Sequence, residues 1–268
     1  MPFSVLILTL NEERNLPGCL ASLRGCADIV VLDSGSTDGT VELARRHGAR
    51  VFSRDFDNFA AQRNYAQRNI AFANPWVFHL DADESMTDGL AAECERAAAR
   101  DDVDGFYAAP RMMLGGKWIP RCTDFPAWQA RYVRAPGFEF VEVGHGQREA
   151  PEMRMARLQS NYLHDVFSGG TQAEWLEKHR RYARAEARAL AGIPLRPAEL
   201  FSPERLLRRR ALKRLNASLP LRPARRFAYQ YLYRRGFLDG TAGLRYCLLI
   251  ARYEGFMARE TRLIRAAR

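Results

Sequence analysis

Residues 28–44 have the sequence DIVVLDSGSTDGTVELA, and this stretch decides the fold. Its first six residues, DIVVLD, contain an apolar run rich in β-branched side chains, which predicts a buried strand that ends at Asp33. The small polar residues that follow predict a turn, and the helical pattern from Val41 to His47 is closed by Gly48. The stretch therefore predicts a strand, a turn and a helix, the repeating unit of a parallel sheet.

The same alternation continues on both sides of this stretch. We expect strands over residues 4–9, 49–53 and 76–80, and helices that start at Asn11 and cover residues 58–72 and 88–100. Strands that alternate with helices at these lengths predict right-handed crossovers and a mostly parallel sheet, which binds ligands beyond the carboxyl ends of its strands. Further strands over residues 105–113, 131–134 and 138–143 predict an antiparallel addition. The predicted fold class is therefore α/β, with a mixed sheet flanked by helices.

Helical patterns dominate from Thr171 onward. Ser202, Pro203 and Glu204 supply an N-cap, a proline at the first helical position and an early acid. The residues that follow predict a basic amphipathic helix, because apolar side chains share one face and basic side chains cover the other. The apolar face comprises Leu207, Ala211, Leu212 and Leu215, and the basic face comprises Arg205, Arg209, Arg210, Lys213 and Arg214. We therefore divide the chain into an α/β domain at residues 1–168 and a helical, basic region at residues 169–268.

Composition restricts the class of protein. The chain has 268 residues, of which 47% are hydrophobic and 27% charged, enough for one large α/β domain with a substantial core. Its five cysteines are scattered without C-x-x-C spacing, which predicts neither a disulfide framework nor a zinc site and favours a reducing cytosol. The first residues do not resemble a secretory leader, and no segment approaches the ~20 apolar residues of a membrane span. We expect a cytoplasmic protein, either soluble or peripheral on the inner face of the cytoplasmic membrane.

The positive charge is concentrated in one part of the chain. The net charge is +10, but residues 178–235 carry 17 Lys or Arg and 3 Glu, whereas the rest of the chain carries 24 basic and 28 acidic residues. This asymmetry indicates a nearly neutral body joined to a region that attracts anions. The alternative is that basic helices simply solvate a surface.

Two carboxylates follow the fourth predicted strand. Asp81 and Asp83 are two positions apart at its end, so we expect both side chains to leave the same face toward the ligand edge of the sheet. A pair of carboxylates at that place favours a divalent cation, Mg²⁺ or Mn²⁺, which keeps positions open for phosphate oxygens. The alternative is a solvated, aspartate-rich turn.

Polar residues also follow the first two strands. Asp33 closes the second strand before a run of small residues, and its carboxylate can accept a hydrogen bond from a base or a ribose hydroxyl. Asn11 and Glu12 follow the first strand at the same edge of the sheet. Structural capping explains each position singly, but three polar strand ends at one edge favour a shared binding site.

Three segments in this order, TLNEERNLPGCLASL at residues 9–23, DIVVLDSGSTDGTVELA at 28–44 and HLDADES at 79–85, resemble family 2 glycosyltransferases of the GT-A fold. The resemblance is to the bacterial branch that builds lipopolysaccharide core and related surface glycans. Later segments of the chain also resemble this branch: GHGQRE at residues 144–149, HDVFSGG at 164–170 and GFLDGTAGL at 236–244. The resemblance implies a metal-dependent, inverting transfer from a nucleotide-sugar, with a UDP-sugar as the expected donor and a glycan or lipid-linked acceptor.

The resemblance also implies roles for individual residues. It places Leu10, Glu12 and Asp33 around the base, Arg63 near the nucleotide, Asp81 near the ribose, and Asp83 on the Mg²⁺ or Mn²⁺ ion. The domain at residues 1–168 would then be the catalytic one, and the region at 169–268 would meet the acceptor or a membrane.

One element of the family pattern is missing. Inverting transfer needs a carboxylate that takes the proton of the acceptor hydroxyl. Many relatives carry an acid just before a Gln-x-x-Arg stretch, but in PAWQARYVR the comparable position is Ala127. We therefore consider two candidates for the general base, Glu149 and Asp124. His145 and Arg148 are candidates for holding acceptor or diphosphate, although His145 also suits a buried structural role.

Aromatic residues alternate with arginines in the second half of the chain. They are Trp175, Tyr182, Phe227, Tyr229, Tyr231, Tyr233 and Phe237. Such a pattern can stack nucleobases, pack as core or anchor a helix at a membrane interface. With a sugar-transfer domain in front, we expect a surface that meets an anionic membrane or a phosphorylated lipid acceptor, and we expect no nucleic-acid partner.

Other functions remain as alternatives. A nucleotidyltransferase that makes nucleotide-sugars also needs a metal between acidic strand ends, but LTLNEERN carries acids where its basic phosphate loop would lie. An RNA-binding or interaction protein would use the basic half of the chain, with a catalytically silent front domain. A phosphatase with an aspartate nucleophile is the weakest of the three, since no partner lysine constellation is found.

Overall fold

The computed structural model describes residues 1–143, 146–191, 196–204, 207–208, 211–212, 214–215 and 219–266. The chain forms two compact units. The first comprises Met1–Met113 and Phe125–Gly169, and the second comprises Leu114–Asp124 and Gly170–Arg268.

Most strands belong to the sheet of the first unit. The strands are β1 (Ser4–Thr9), β2 (Ile29–Asp33), β3 (Arg50–Ser53), β4 (Trp76–Asp81), β5 (Glu84–Ser85), β6 (Gly105–Leu114), β7 (Lys117–Trp118), β8 (Gln129–Arg134), β9 (Phe140–Val143), β10 (Gly146–Glu149) and β11 (Met155–Asp165). The sheet order is β3-β2-β1-β4-β8-β6-β11-β5, and β9 and β10 form a separate hairpin. The strands from β3 to β4 are parallel, whereas β8 runs antiparallel to both β4 and β6. The sheet is therefore mixed.

Both faces of β1, β2 and β4 are buried, whereas β3, at the edge of the sheet, is mostly exposed. The helices of this unit are α1 (Leu16–Ala21), α2 (Thr40–Arg46), α3 (Phe59–Asn69) and α4 (Asp88–Ala97). Because side chains alternate along a strand, Val5 and Ile7 pack in one cluster with Phe78, while Leu6 packs in another with Val77. Strands covered on both faces need continuous apolar runs, and such runs made these strands predictable.

The predicted fold class is confirmed: the first unit has a mixed α/β sheet flanked by helices, and a helical C-terminal region follows. Strand β1 has its predicted bounds, and β2, β3 and β4 differ from prediction by one residue. The long strand β11 was not predicted. The predicted start of the first helix at Asn11 is wrong, because Asn11 has a left-handed backbone (φ 56°) and α1 begins at Leu16.

The second unit is mainly helical. Among its described residues, the helices with defined bounds are α5 (Gln172–Ala191), α6 (Arg222–Ala228) and α7 (Gly240–Ala266), with short turns at Pro197–Phe201, Tyr229–Tyr233 and Gly236–Asp239. Ala183 and Ala187 of α5 pack with Met257 of α7, where small side chains let the two helices approach closely. Of the predicted basic amphipathic helix, Arg205, Arg209, Arg210 and Lys213 lie outside the described residues. Among the described residues, none of the helices has the length and apolar character needed to cross a membrane.

The GFLDGTAGL segment at residues 236–244 connects parts of the second unit through hydrogen bonds and close packing. Asp239 is buried, and its Oδ2 accepts hydrogen bonds from the backbone N–H groups of Arg121 (2.9 Å) and Cys122 (3.0 Å). Gln230 Nε2 donates to the carbonyl oxygen of Cys122 at 2.9 Å. Gly243 packs so closely that an added Cβ would overlap the carbonyl oxygen of Gly236 and lie 2.7 Å from Asp239 Cβ. The segment 114–124 is thereby attached to the start of α7.

We expect Gly243→Ala to destabilise the second unit by about 1–3 kcal/mol, because the methyl group has no space against the backbone at Gly236. The measurement is urea unfolding followed by circular dichroism. Gly18→Ala is the matched control: Gly18 lies on α1 with no atom within 4 Å of an added Cβ, so this change should be neutral or stabilising by about 0.5–1 kcal/mol. Equal stability of the two variants would contradict the close packing at Gly243.

Candidate functional site

Asp33 organises the loop that follows β2. It is buried, and its Oδ1 accepts hydrogen bonds from Thr9 Oγ1 (2.8 Å) and Ser36 Oγ (2.5 Å). Its Oδ2 accepts from the backbone N–H groups of Gly35 (3.0 Å) and Ser36 (2.8 Å), and Gly35 has the positive φ of 92° that this tight turn requires. Each carboxylate oxygen thus has two donors from the protein, and Asp33 fixes the shape of the loop.

The loop after β1 is attached to the loop after β2. Asn11 Oδ1 accepts from the backbone N–H of Thr37 at 2.9 Å, and Glu13 Oε2 accepts from that of Gly39 at 3.1 Å. The backbone N–H of Glu12 donates to Thr40 Oγ1 at 2.8 Å. These bonds explain why the helix does not start at Asn11: residues 11–13 are held in a loop by partners about 25 positions away.

The two loops form one rim that carries the predicted nucleotide-binding residues. Leu10 is about half exposed there, and Glu12 Oε2 accepts a hydrogen bond from Asn15 Nδ2 at 2.6 Å. In the sheet, Thr9 is paired with Asp33 on one side of β1, and Leu8 is paired with Asp81 on the other. The ends of three strands therefore bring Leu10, Glu12, Asp33 and Asp81 to the same edge.

Asp81 lies between two buried arginines. Arg63 Nη2 of α3 donates to Asp81 Oδ1 at 2.7 Å, and Arg131 Nη2 of β8 donates to Asp81 Oδ2 at 2.9 Å. Burial acts to raise the pKa of the Asp81 carboxyl, but the charges of Arg131 and Arg63 outweigh burial and hold this pKa well below its ordinary value. Asp81 is therefore ionised, and both of its oxygens are engaged by the protein.

Glu84 forms an ion cluster with Arg63, Asp81 and Arg131, and it links this cluster to the chain that follows β4. It is buried, its Oε1 accepts from Arg131 Nη2 at 2.7 Å, and its Oε2 accepts from the backbone N–H of Asp81 at 2.9 Å. Burial raises the pKa of the Glu84 carboxyl. The capture of the Asp81 N–H by Glu84 closes a tight turn at Ala82 and Asp83.

Asp83 lies on that turn and not on the strand. The prediction that Asp81 and Asp83 leave the same face of a strand is therefore wrong, because β4 ends at Asp81. Asp83 Oδ2 accepts a hydrogen bond from Ser168 Oγ at 2.7 Å and lies 3.8 Å from His164 Nε2. Burial acts to lower the pKa of His164, but Glu84 and Asp83 outweigh it and raise this pKa above its ordinary value.

A divalent cation fits the residues around Asp83. A carboxylate oxygen and an imidazole nitrogen that face each other are ordinary ligands of Mn²⁺, and the remaining coordination positions can be taken by water and phosphate oxygens. Among the described residues there is no group of three or more potential ligands.

The candidate general bases lie in different units. Glu149 is half-buried on β10, and its Oε1 accepts from the Tyr107 hydroxyl at 2.6 Å. Burial and Glu149 together raise the pKa of Tyr107 to about 12. Tyr107 is paired across the sheet with Ala130 of β8. Asp124 is an exposed residue of the second unit.

Two further candidates, His145 and Arg148, belong to the same segment. His145 lies outside the described residues, as does Gly144 beside it. Arg148 is exposed on β10.

Sequence reasoning missed Arg131, Glu84, His164 and Ser168. Each lies in a segment that is compared with the family pattern: Arg131 in PAWQARYVR, Glu84 in HLDADES, and the other two in HDVFSGG. The segments gave a signal for all four residues, but their partners come from distant strands whose register is set only by the folded sheet.

Comparison with known proteins gives a family match and several relatives. The family model "Glycosyl transferase family 2" matches residues 4–134. A lipopolysaccharide core biosynthesis glycosyltransferase, LpsC, of Rhizobium meliloti is 37% identical over 43% of this chain and 44% of its own length. An uncharacterised glycosyltransferase of Mycobacterium bovis is 30% identical over 64% of this chain and 80% of its own. The chain spans less than half the length of the first curated relatives it matches.

Solved structures are similar at lower identity. The structure of residues 1–349 of S. aureus TarS in complex with UDP-GlcNAc is 15% identical, with a TM-score of 0.47, and the match covers 100% of this chain and 93% of that one.

We expect Arg131→Met to destabilise the first unit by about 3–5 kcal/mol, because it leaves the buried Glu84 carboxylate without its partner. Chemical unfolding measures the loss. Arg154→Met is the matched control, since the ion pair of Arg154 with Asp104 is largely exposed and should contribute about 1 kcal/mol or less. If Arg131→Met and Arg154→Met lowered the stability by the same small amount, this result would contradict a stabilising role of the ion cluster at the end of β4.

Proposed function

The chain belongs to glycosyl transferase family 2, and we propose that it transfers a sugar from a nucleotide-diphosphate sugar to an acceptor on a bacterial surface glycan. The donor is a UDP-sugar, and the acceptor is a glycan or lipid-linked intermediate of lipopolysaccharide or a related polysaccharide. One observation carries this proposal: the loops after β1, β2 and β4 meet at one edge of the sheet, where register aligns Asp33 and Asp81 on either side of β1.

The rim of the first two loops is the proposed nucleoside site. Leu10 offers an exposed apolar surface for a base, beside the polar groups of Glu12 and the loop that Asp33 shapes. Arg63 is buried in an ion pair with Asp81 and has two guanidinium nitrogens, Nε and Nη1, that find no hydrogen-bond partner among the described residues. Its charge, together with that of Arg131, favours a diphosphate near Asp81.

Asp83 and His164 are the proposed protein ligands of a divalent cation, Mg²⁺ or Mn²⁺. Ser168 donates to Asp83 and would orient this carboxylate, while Glu84 accepts from the other side of the His164 ring. When bound, the cation would neutralise the diphosphate as its bond to the sugar breaks. His164 was not among the ligands that the sequence predicted.

Glu149 is the proposed general base for transfer with inversion. The acceptor hydroxyl attacks the anomeric carbon from the side opposite the leaving nucleoside diphosphate, and its proton passes to Glu149. Support comes from the short hydrogen bond that Tyr107 donates to Glu149, which holds the carboxylate in place. Tyr107 in turn lies beside the strand that carries Arg131.

We also propose that the enzyme acts in the cytoplasm, at the inner face of the cytoplasmic membrane. The cysteines of the described residues are all free thiols, which suits a reducing compartment. Membership of a glycosyltransferase family favours sugar transfer over the nucleotidyltransferase, RNA-binding and phosphatase alternatives.

We expect Asp83→Asn to weaken Mn²⁺ binding at least tenfold, because it removes the charged ligand of the proposed site. Direct Mn²⁺ titration by electron paramagnetic resonance, with and without UDP-glucose and other UDP-sugars, measures the affinity. Asp101→Asn is the control, since Asp101 is exposed after α4 and distant in sequence from the cation ligands. His164→Gln should resemble Asp83→Asn; an unchanged Mn²⁺ affinity in both would refute the assignment.

We expect Glu149→Gln to lower kcat by about 10²–10⁴-fold with little change in the KM for donor, because the variant cannot accept the proton of the acceptor. Steady-state kinetics with the best donor from the UDP-sugar series gives both constants. Glu142→Gln, an exposed change on the neighbouring strand β9, serves as control. A fall in kcat for Asp124→Asn but not for Glu149→Gln would move the role of base to Asp124.

A further inference from the structure

The second unit has an unusual number of exposed apolar side chains between α6 and the middle of α7. We define the interfacial patch as Tyr229, Leu232, Tyr233, Phe237, Leu238 and Leu248. Leu232 is 61% exposed and Tyr233 is 78% exposed. Single exposed leucines are ordinary, but six large apolar side chains within 20 positions are not.

Local geometry explains why these residues face outward. The wide turn at Tyr229–Tyr233 places the rings of Tyr229 and Tyr233 in a stack with centroids 5.5 Å apart, and the guanidinium of Arg226 lies 5.9 Å from the Tyr229 ring. The next turn packs through Gly236 against Cys247 of α7, and it leaves Phe237 and Leu238 exposed. The patch is therefore part of the fold and does not arise from a frayed end.

The patch continues along one face of α7. Leu248 and Arg252 are four positions apart and both are exposed, so they lie on the same side of the helix. Arg245 lies one turn before Leu248, and it is exposed as well. Apolar and cationic side chains thus share this face.

The exposed charge of this region is positive. Between residues 219 and 254 the sequence has seven arginines and two acids, and Glu254 is buried in an ion pair with the buried Arg222. Asp239 is buried and accepts from the backbone of Arg121 and Cys122, so it contributes no exposed negative charge. Arg235 and Arg252 are exposed beside the apolar side chains.

We propose that the interfacial patch docks on the surface of an anionic phospholipid bilayer, with its leucines and aromatic rings at the acyl boundary and its arginines among the headgroups. This combination of apolar face and cationic rim is the physical signature of interfacial membrane binding. Tyrosines suit the boundary because each ring has an apolar body and a polar hydroxyl. A second copy of the chain is a poorer occupant, since two cationic surfaces would repel each other.

The proposal does not depend on the sugar-transfer chemistry, and it is tested with the full chain. The probe is flotation with vesicles of phosphatidylcholine alone or with about one third phosphatidylglycerol, at low and high salt. We expect binding to the anionic vesicles at low salt, little binding to the neutral ones, and weakening as salt rises. No binding to anionic vesicles at low salt, or equal binding to neutral ones, would overturn the proposal.

Two variants separate the apolar and charge contributions. Leu232→Ser with Tyr233→Ser should weaken binding at least tenfold at every salt concentration, because both side chains bury apolar surface in the bilayer. Arg235→Glu with Arg252→Glu should weaken it at least tenfold at low salt, since each arginine contributes about a fivefold gain. Circular dichroism verifies that both variants fold.

A matched control and an oligomerisation measurement complete the test. Leu263→Ser changes a similarly exposed leucine (55%) that lies about 22 Å beyond Leu248 along α7. This variant should bind vesicles like the unchanged chain. Donor turnover without vesicles should stay the same in all variants, which distinguishes lost docking from lost catalysis. A stable dimer in light scattering that Leu232→Ser with Tyr233→Ser dissociates would show that a second copy covers the patch, and would overturn the proposal.

Discussion

The first unit depends on the ion cluster at the end of β4. Two guanidinium groups, Arg63 and Arg131, are buried there, and a buried charge is tolerated only with a partner of opposite sign. Asp81 and Glu84 supply the partners, and each comes from a different position on the chain around the turn. The cluster thus joins α3, β4, β5 and β8 at one point. It also fixes the turn that carries Asp83, directly after the end of β4.

The carboxylates at this edge have different tasks, which hydrogen bonding reveals. Both oxygens of Asp33 and both oxygens of Asp81 already accept from the protein, so we infer that these residues act on a donor mainly through the backbone and arginines that they position. Asp83, by contrast, lies on a turn, and it faces a serine hydroxyl and an imidazole. A carboxylate in that setting can bind a cation.

Sequence patterns predicted β1, β2 and β4 because these strands are buried on both faces and leave apolar runs. They failed where distant partners prevail over local propensity. Asn11 is a good N-cap residue, yet its side chain binds Thr37, and the helix starts later. The alternation rule put Asp83 on a strand, yet Glu84 captures the Asp81 N–H and turns the chain. Arg131 and His164 join the site through β8 and β11, whose register no local pattern encodes.

The aromatic residues of the second unit show the same limit of local pattern. Tyr229, Tyr231 and Tyr233 alternate in sequence, but the wide turn stacks Tyr229 on Tyr233 at the surface and Tyr231 on Phe227, with both of these half-buried. Charge follows a similar logic. Asp239 is the single acid between residues 219 and 253, and the fold uses it to hold the backbone of segment 114–124. Because that acid is buried inside the unit, it does not offset the exposed charges of Arg235 and Arg252, and a surface of this sign favours an anionic partner.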